Sequence, residues 1–364
     1  MAFRHTAKVD ALLKRLSGLS TEDIRRAIQE RPKYWTLAAA RDLLDHSAAL
    51  QKRELLQSTK AAFAALEILQ NLPFDPTTPE LIQRGVGLSA NSARLLGLLK
   101  AAVNLFDSPA LYYAPLPPEL LRIIAVLRWE QAHYDEAFGL LERARTLFRA
   151  RRLEAEVTVT EQVLILLHAD MGEDDEALQL FKNLGRAEPA SHSWLSARTA
   201  LTAAFCLACR ASEESQWAAR SALAQGRSFL HLVEEEQERL YLDWLSARAL
   251  ARLGDDPQAE CLAALREPFL ASLPWINCFH LHLDLMAFRA TAGQAMDLLS
   301  LEDQLRRRSP SLDEVNVTRA VLGTASNPES LLFPWESASV AGRETRRRFR
   351  LLYLPALPLP LIMD

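Results

Sequence analysis

Four side chains that could bind a metal ion lie close together in the segment CFHLHLD: Cys278, His280, His282 and Asp284. On a β-strand, the two histidines would share a face and could bind one ion. On an α-helix they diverge by about 200°, and only the i,i+4 pairs Cys278/His282 and His280/Asp284 align. The surrounding hydrophobic spacing is helical, and a structural zinc site usually has four ligands at tighter pair spacing. A partly buried helix with ordinary polar contacts explains this segment better, so no metal or other cofactor is expected.

Two further patterns could carry chemistry and are better explained by packing. Cys206 and Cys209 form a C-x-x-C within the apolar stretch FCLAC. A redox C-x-x-C normally opens a helix after a strand, whereas this one lies inside a helical pattern, which favours buried reduced thiols. The stretch GVGLSANS, from Gly85, resembles a phosphate-binding loop but follows a helix, which disfavours dinucleotide binding. Motifs of hydrolases, metalloproteases and EF-hands are absent, and no enzymatic activity is expected.

The composition favours a helical chain. Of 364 residues, 49% are hydrophobic and 24% charged, and only 12 are glycine. Nucleotide-binding α/β enzymes and β-sandwiches use more glycine in their turns. The net charge of −4 gives no general attraction to nucleic acid. The N-terminal stretch lacks the apolar core of a secretory signal, and no run of 18 apolar residues suggests a membrane span, so a cytoplasmic location is expected.

The N-terminal third predicts several separate helices. Ser20 caps one of them, with Asp23 three residues on as a weak capping box. The range 37–69 is predicted to contain two helices. Thr78 and Pro79 begin another, since proline suits the first turn, and a further amphipathic helix is expected from Asn91 to Phe106.

A repeat begins after residue 118. Similar stretches such as HYDEAFGLLERA and EDDEALQLFKNL each follow an apolar helix and a short polar turn. The small residue at the crossing of each pair of helices recurs with a period near forty, at Ala137, Ala177, Ala218, Ala259 and Ala295. A fixed period with two helices in each copy predicts a helical solenoid.

These stretches resemble the second helix of tetratricopeptide repeat (TPR) motifs, as in the scaffold and regulator domains of bacteria. In TPR motifs a small residue begins this helix, a bulky residue follows four positions on, and a small or apolar residue three further. The first copy has Ala137, Leu141 and Ala144 at these positions, and the second has Ala177, Phe181 and Leu184. The period exceeds the usual 34 residues, and the third copy matches poorly. The resemblance implies an all-α chain, a right-handed superhelical α-solenoid of helix–turn–helix repeats.

The expected organisation has four parts: a helical region (1–107), a proline-rich connection (108–118), TPR-like repeats (119–308), and a C-terminal cap with an arginine- and proline-rich apolar tail (309–364). Arginine clusters at 149–152 and 306–308 lie near predicted helix ends, where cations interact favourably with the helix dipole.

The TPR resemblance also implies a binding surface on the concave side, formed by the first helix of each copy. Projecting the ligand-facing positions onto this chain gives nine candidate residues: Arg122, Trp129, Gln162, Arg210, Tyr241, Trp244, Arg248, His280 and Asp284. Arginine and aromatic side chains are frequent anchors in interfaces. Packing between repeats is an equally good explanation for Trp129 and Trp244, since tryptophan is mostly buried.

The sequence therefore favours a non-enzymatic adaptor or regulatory protein that binds a peptide segment or protein partner, without nucleic acid. The alternative is a sensor component of a bacterial transcription or signalling system that binds a signal peptide or small molecule. The helical N-terminal region would then be its effector module.

Overall fold

All regular secondary structure in the described part of the chain is helical. The computed structural model describes residues 12, 14 and 18–253, apart from 52–53, 74, 97, 113, 132, 172, 185–192, 209–211 and 234–235. It contains twelve α-helices there: α1 (Thr21–Gln29), α2 (Leu37–Leu50), α3 (Leu55–Gln70), α4 (Thr78–Leu95), α5 (Leu99–Phe106), α6 (Pro118–Glu130), α7 (Tyr134–Ala150), α8 (Glu154–Met171), α9 (Asp174–Leu184), α10 (Ser193–Ala208), α11 (Glu213–Ser228) and α12 (Glu236–Leu253). Short 3-10 turns occur at Pro32–Tyr34, Pro109–Tyr112 and Leu230–Leu232. The all-α prediction is confirmed for these residues.

The described residues divide into two compact units, one up to Arg128 and one from Trp129 onward. In the first unit, α1 packs on α3, while α2, α3 and α4 pack on one another and α5 packs on α4. The predicted cap of α1 is confirmed, because Ser20 Oγ accepts a hydrogen bond from the backbone nitrogen of Asp23 at 3.2 Å. The two helices predicted in 37–69 are α2 and α3.

A buried polar layer joins α2, α3 and α4. The hydroxyl groups of Ser47 and Ser58 lie 3.0 Å apart, and that of Ser92 is 3.1 Å from Ser58. The Gln51 amide nitrogen donates to the backbone oxygen of Leu88 and to Ser92 Oγ. Because a shifted helix would leave these buried groups without partners, the layer favours one alignment of the three helices.

The helix predicted from Asn91 to Phe106 is wrong in its boundaries. Residue 91 lies inside α4, which begins at Thr78 with Pro79 in its first turn, and the chain leaves the helix before α5 starts. The polar residues around position 91 belong to the buried layer rather than to a helix start. The glycine-rich stretch is also inside α4, where a Cβ on Gly85 would come within 2.8 Å of Leu66. Gly85 therefore serves close helix packing.

The second unit contains successive helical hairpins. Helices α8 and α9 pack as one pair, and α10 and α11 as the next. The first helix of each pair also contacts the first helix of its successor, so that α8 packs on α10 and α10 packs on α12. Helix α7 packs on α8 as well. This order brings side chains of α10 and α12 together on adjacent helices.

The small residues predicted at the helix crossings are buried in the first two copies and partly buried in the third, while Ala259 and Ala295 lie outside the described residues. Ala137 and Ala177 are buried, each in the first turn of its helix. In α11, Ala218 is only partly buried, and the buried positions are Ala219, Ala222, Leu223 and Gly226. Ala218 packs against the same core without being fully buried. On this buried face, Gly226 lies against Leu201 of α10.

Candidate functional site

Helix α10 leaves one narrow stripe accessible. Trp194, Arg198, Thr202 and Phe205 are partly exposed, and every other residue of α10 whose side chain is described is buried. These four positions are four, four and three residues apart, which places them within an arc of about 80° on one side of the helix. Four other helices cover the rest of α10. Among the described side chains of α10, those that an external molecule could contact lie along this stripe.

Side chains of α12 continue the stripe through a connected series of ring contacts. The guanidinium of Arg198 lies 4.9 Å from the ring centre of Tyr241. The Tyr241 ring meets the Trp244 ring edge-on, with centres 5.4 Å apart. The guanidinium of Arg248 then lies 5.2 Å from the Trp244 ring and 4.8 Å from the Phe205 ring, back on α10. We call these five residues the arginine–aromatic face.

Contact with aromatic rings restricts the side chains of both arginines. A guanidinium against an aromatic ring is attracted by the ring's electron-rich face, by about 0.5–2 kcal/mol depending on burial. Contact with a ring also orders the long side chain, so less conformational entropy is lost when an acceptor binds. In the described part of the chain, no carboxylate lies within ion-pair distance of Arg198. This arginine can therefore direct donors toward an external acceptor.

An acidic residue of α12 lies away from this face. Asp243 is two residues from Tyr241, which corresponds to about 200° around a helix. Burial raises the pKa of its carboxyl above the usual range, while the charges of Arg239 and Arg227 act in the opposite direction. The carboxylate of Asp243 thus interacts with these two arginines rather than with the arginine–aromatic face.

The candidate binding residues predicted from the sequence occupy different environments. Tyr241 and Arg248 are partly exposed and belong to the arginine–aromatic face. Arg122, Trp129, Gln162 and Trp244 are buried, so they present little surface to a partner in this structure. Arg210, His280 and Asp284 lie outside the described residues, as does the segment CFHLHLD. A role in partner binding stays a prediction for all nine.

Gln162, one of the buried candidate residues, connects two helices. Its amide nitrogen donates to Ser196 Oγ at 3.1 Å and so links α8 to α10. Both side chains are buried. Cys206, from the C-x-x-C pattern, is buried and is not in a disulfide, whereas Cys209 lies outside the described residues.

Relatives of known function could indicate what such a face binds. Comparisons with protein-family models, with curated proteins and with solved structures found no match. The face must therefore be interpreted from its own chemistry.

Within the described ranges, no group of three or more His, Cys, Asp or Glu side chains is placed to hold a metal ion. In the same ranges, no helix combines the length and the apolar character needed to cross a bilayer.

The sequence prediction missed Arg198 and Phe205. It placed the third copy's contribution at Arg210, beyond the end of α10. The signal that could have found the stripe is the spacing of Trp194, Arg198, Thr202 and Phe205. The spacing places two aromatic side chains and the one arginine of the segment on the same side of a helix.

Proposed function

We propose that this chain is a non-enzymatic adaptor or regulatory protein that binds a peptide segment or a protein partner. Its hairpins would continue as a TPR-like, right-handed superhelical α-solenoid, with the first helices of successive hairpins lining the concave groove. The observation that supports this proposal is the arginine–aromatic face, which lies on two such helices, α10 and α12.

The composition of the face suits recognition of a polypeptide. Arginine, tyrosine and tryptophan supply most of the binding energy in many interfaces, because each combines a large apolar surface with directional donors. Here the side chains are already held by one another, through contacts of 4.8–5.4 Å. A partner would therefore lose less affinity to ordering these side chains than it would on a mobile surface.

The proposal can be tested by comparing two charge-matched variants of the full chain. Arg198→Ala/Arg248→Ala removes both arginines of the face. Arg143→Ala/Arg220→Ala removes two exposed arginines, on α7 and α11. Proteins captured from the native host by each form are identified by mass spectrometry, and the dissociation constant of any purified partner is then measured. We expect the first variant alone to lose the partner, with affinity weakened by about tenfold or more. Equal affinities for both variants would contradict the proposal.

A further inference from the structure

The accessible stripe of α10 has a fixed order of chemical types along the helix axis. An α-helix rises 1.5 Å per residue, so Trp194 and Arg198 are separated by about 6 Å along the axis, and Arg198 and Phe205 by about 10.5 Å. The stripe thus places one guanidinium between two aromatic side chains. An extended peptide advances about 3.3 Å per residue, so the distance from Trp194 to Arg198 corresponds to about two residues, whose side chains lie on the same face of the peptide.

Arg198 indicates the charge of the group that the stripe would bind. Its guanidinium lies against Tyr241, and among the described residues no carboxylate pairs with it. A guanidinium with free N–H donors is complementary to a carboxylate, which can accept two of them side by side. Arg248 lies at the other end of the face, against Phe205 and Trp244, so one carboxylate opposite Arg198 matches the arginine at the centre of the stripe.

We infer that the arginine–aromatic face binds an extended peptide in which one aspartate or glutamate lies opposite Arg198. An apolar side chain two residues from this acidic residue, on the same face of the extended peptide, would contact Trp194. This inference rests on the proposed function and adds to it the chemical class and spacing of the bound segment.

The test uses the full chain and three labelled peptides, with binding followed by fluorescence anisotropy. Each peptide has phenylalanine two residues from a central position. The central residue is glutamate, glutamine or phosphoserine. We expect the glutamate peptide to bind about tenfold more tightly than the glutamine peptide. Arg198→Gln should remove that difference, whereas Arg220→Gln, on the exposed side of α11, should keep it.

Each outcome bears on the inference, provided that the melting temperatures of the variants match that of the wild type. Equal binding of the glutamate and glutamine peptides, or an unchanged difference in Arg198→Gln, overturns the inference while groove binding stands. Much tighter binding of the phosphoserine peptide overturns the choice of a carboxylate. Absence of binding by all three peptides also overturns it. The proposed function fails separately, if the face variant and the control variant retain the same captured partner with the same affinity.

Discussion

Gly226 of α11 lies against Leu201 of α10 so closely that a Cβ atom on residue 226 would come within 2.7 Å of Leu201 Cγ and 3.2 Å of the Leu201 backbone nitrogen. The backbone atom cannot move aside as a flexible side chain can. This contact sets the depth at which the third hairpin closes, and it lies on the same helix that carries the accessible stripe.

We predict that Gly226→Ala destabilises the chain. Overpacking costs about 1–3 kcal/mol, and the better helix propensity of alanine returns at most about 1 kcal/mol. The free energy of unfolding, measured in urea, should therefore fall by about 1–2 kcal/mol. Gly139 provides the matched control, because it also lies within a helix, α7, and has nothing within 4 Å of its would-be Cβ. Gly139→Ala should raise the stability, and a decrease there would contradict this account.

Ala177 offers a second test of hairpin packing. This alanine is buried in the first turn of α9, which packs on α8. Ala177→Phe should overpack the contact and reduce the free energy of unfolding by about 1–3 kcal/mol. Gln179→Phe introduces the same side chain at an exposed position of α9 and should change stability by less than about 0.5 kcal/mol. Equal effects would show that Ala177 is not at a tightly packed position.

Local signals predicted more of the fold than of the site. The cap at Ser20 and the buried positions Ala137 and Ala177 depend on contacts within one hairpin or one helix end, which short sequence patterns describe well. The buried face of α11 includes Gly226 against Leu201, a contact between helices that adjacent alanines do not reveal. The stripe on α10 likewise depends on contacts between helices, which short sequence patterns do not describe.

The sequence predicted the site residues on α12, which lie in one short segment, and missed those on α10. Tyr241, Trp244 and Arg248 are three and four residues apart on α12, and their ring contacts are local. Arg198 and Phe205 join them through the packing of α10 on α12, which depends on the tertiary alignment of two hairpins.

The buried bond between Gln162 and Ser196 leads to a third prediction. Ser196→Ala should lower the free energy of unfolding by about 1–3 kcal/mol, because the Gln162 amide nitrogen would stay buried without its acceptor. The double variant Gln162→Leu/Ser196→Ala should recover most of this loss, since both polar groups are then gone. Urea unfolding of the three proteins tests this, and a double variant no more stable than Ser196→Ala would contradict it.

The raised pKa of Asp243 predicts a pH-dependent stability. Burial raises the pKa of this carboxyl, so at intermediate pH the folded chain holds a proton that the unfolded chain has released. Stability therefore falls as pH rises through the interval between the unfolded and folded pKa values, and the full loss persists above it. Asp243→Asn should have a higher urea midpoint than the wild type at neutral pH. The difference should shrink as pH falls through the interval between the folded and unfolded pKa values and should no longer change below about 4. A difference that is constant with pH would contradict the assignment.

Trp244 should act mainly through the stability of the fold. It is only 6% exposed and lies between the Tyr241 ring and the Arg248 guanidinium. Trp244→Ala should cost about 3–5 kcal/mol, because removal of a buried indole leaves a cavity. Thermal melting and urea unfolding measure this cost directly.

Arg248→Ala provides the contrast that separates packing from binding. Arg248 is partly exposed and stacks on Phe205 and Trp244, so its removal should cost the fold only about 0.5–2 kcal/mol. If the arginine–aromatic face binds a partner, the same change should weaken binding by about 1–4 kcal/mol, since arginine anchors are among the residues that dominate interfaces. The two variants should therefore separate, with Trp244→Ala losing mainly stability and Arg248→Ala losing mainly affinity. Affinity unchanged in Arg248→Ala, with a large loss of stability, would assign both residues to the packing of α10 on α12.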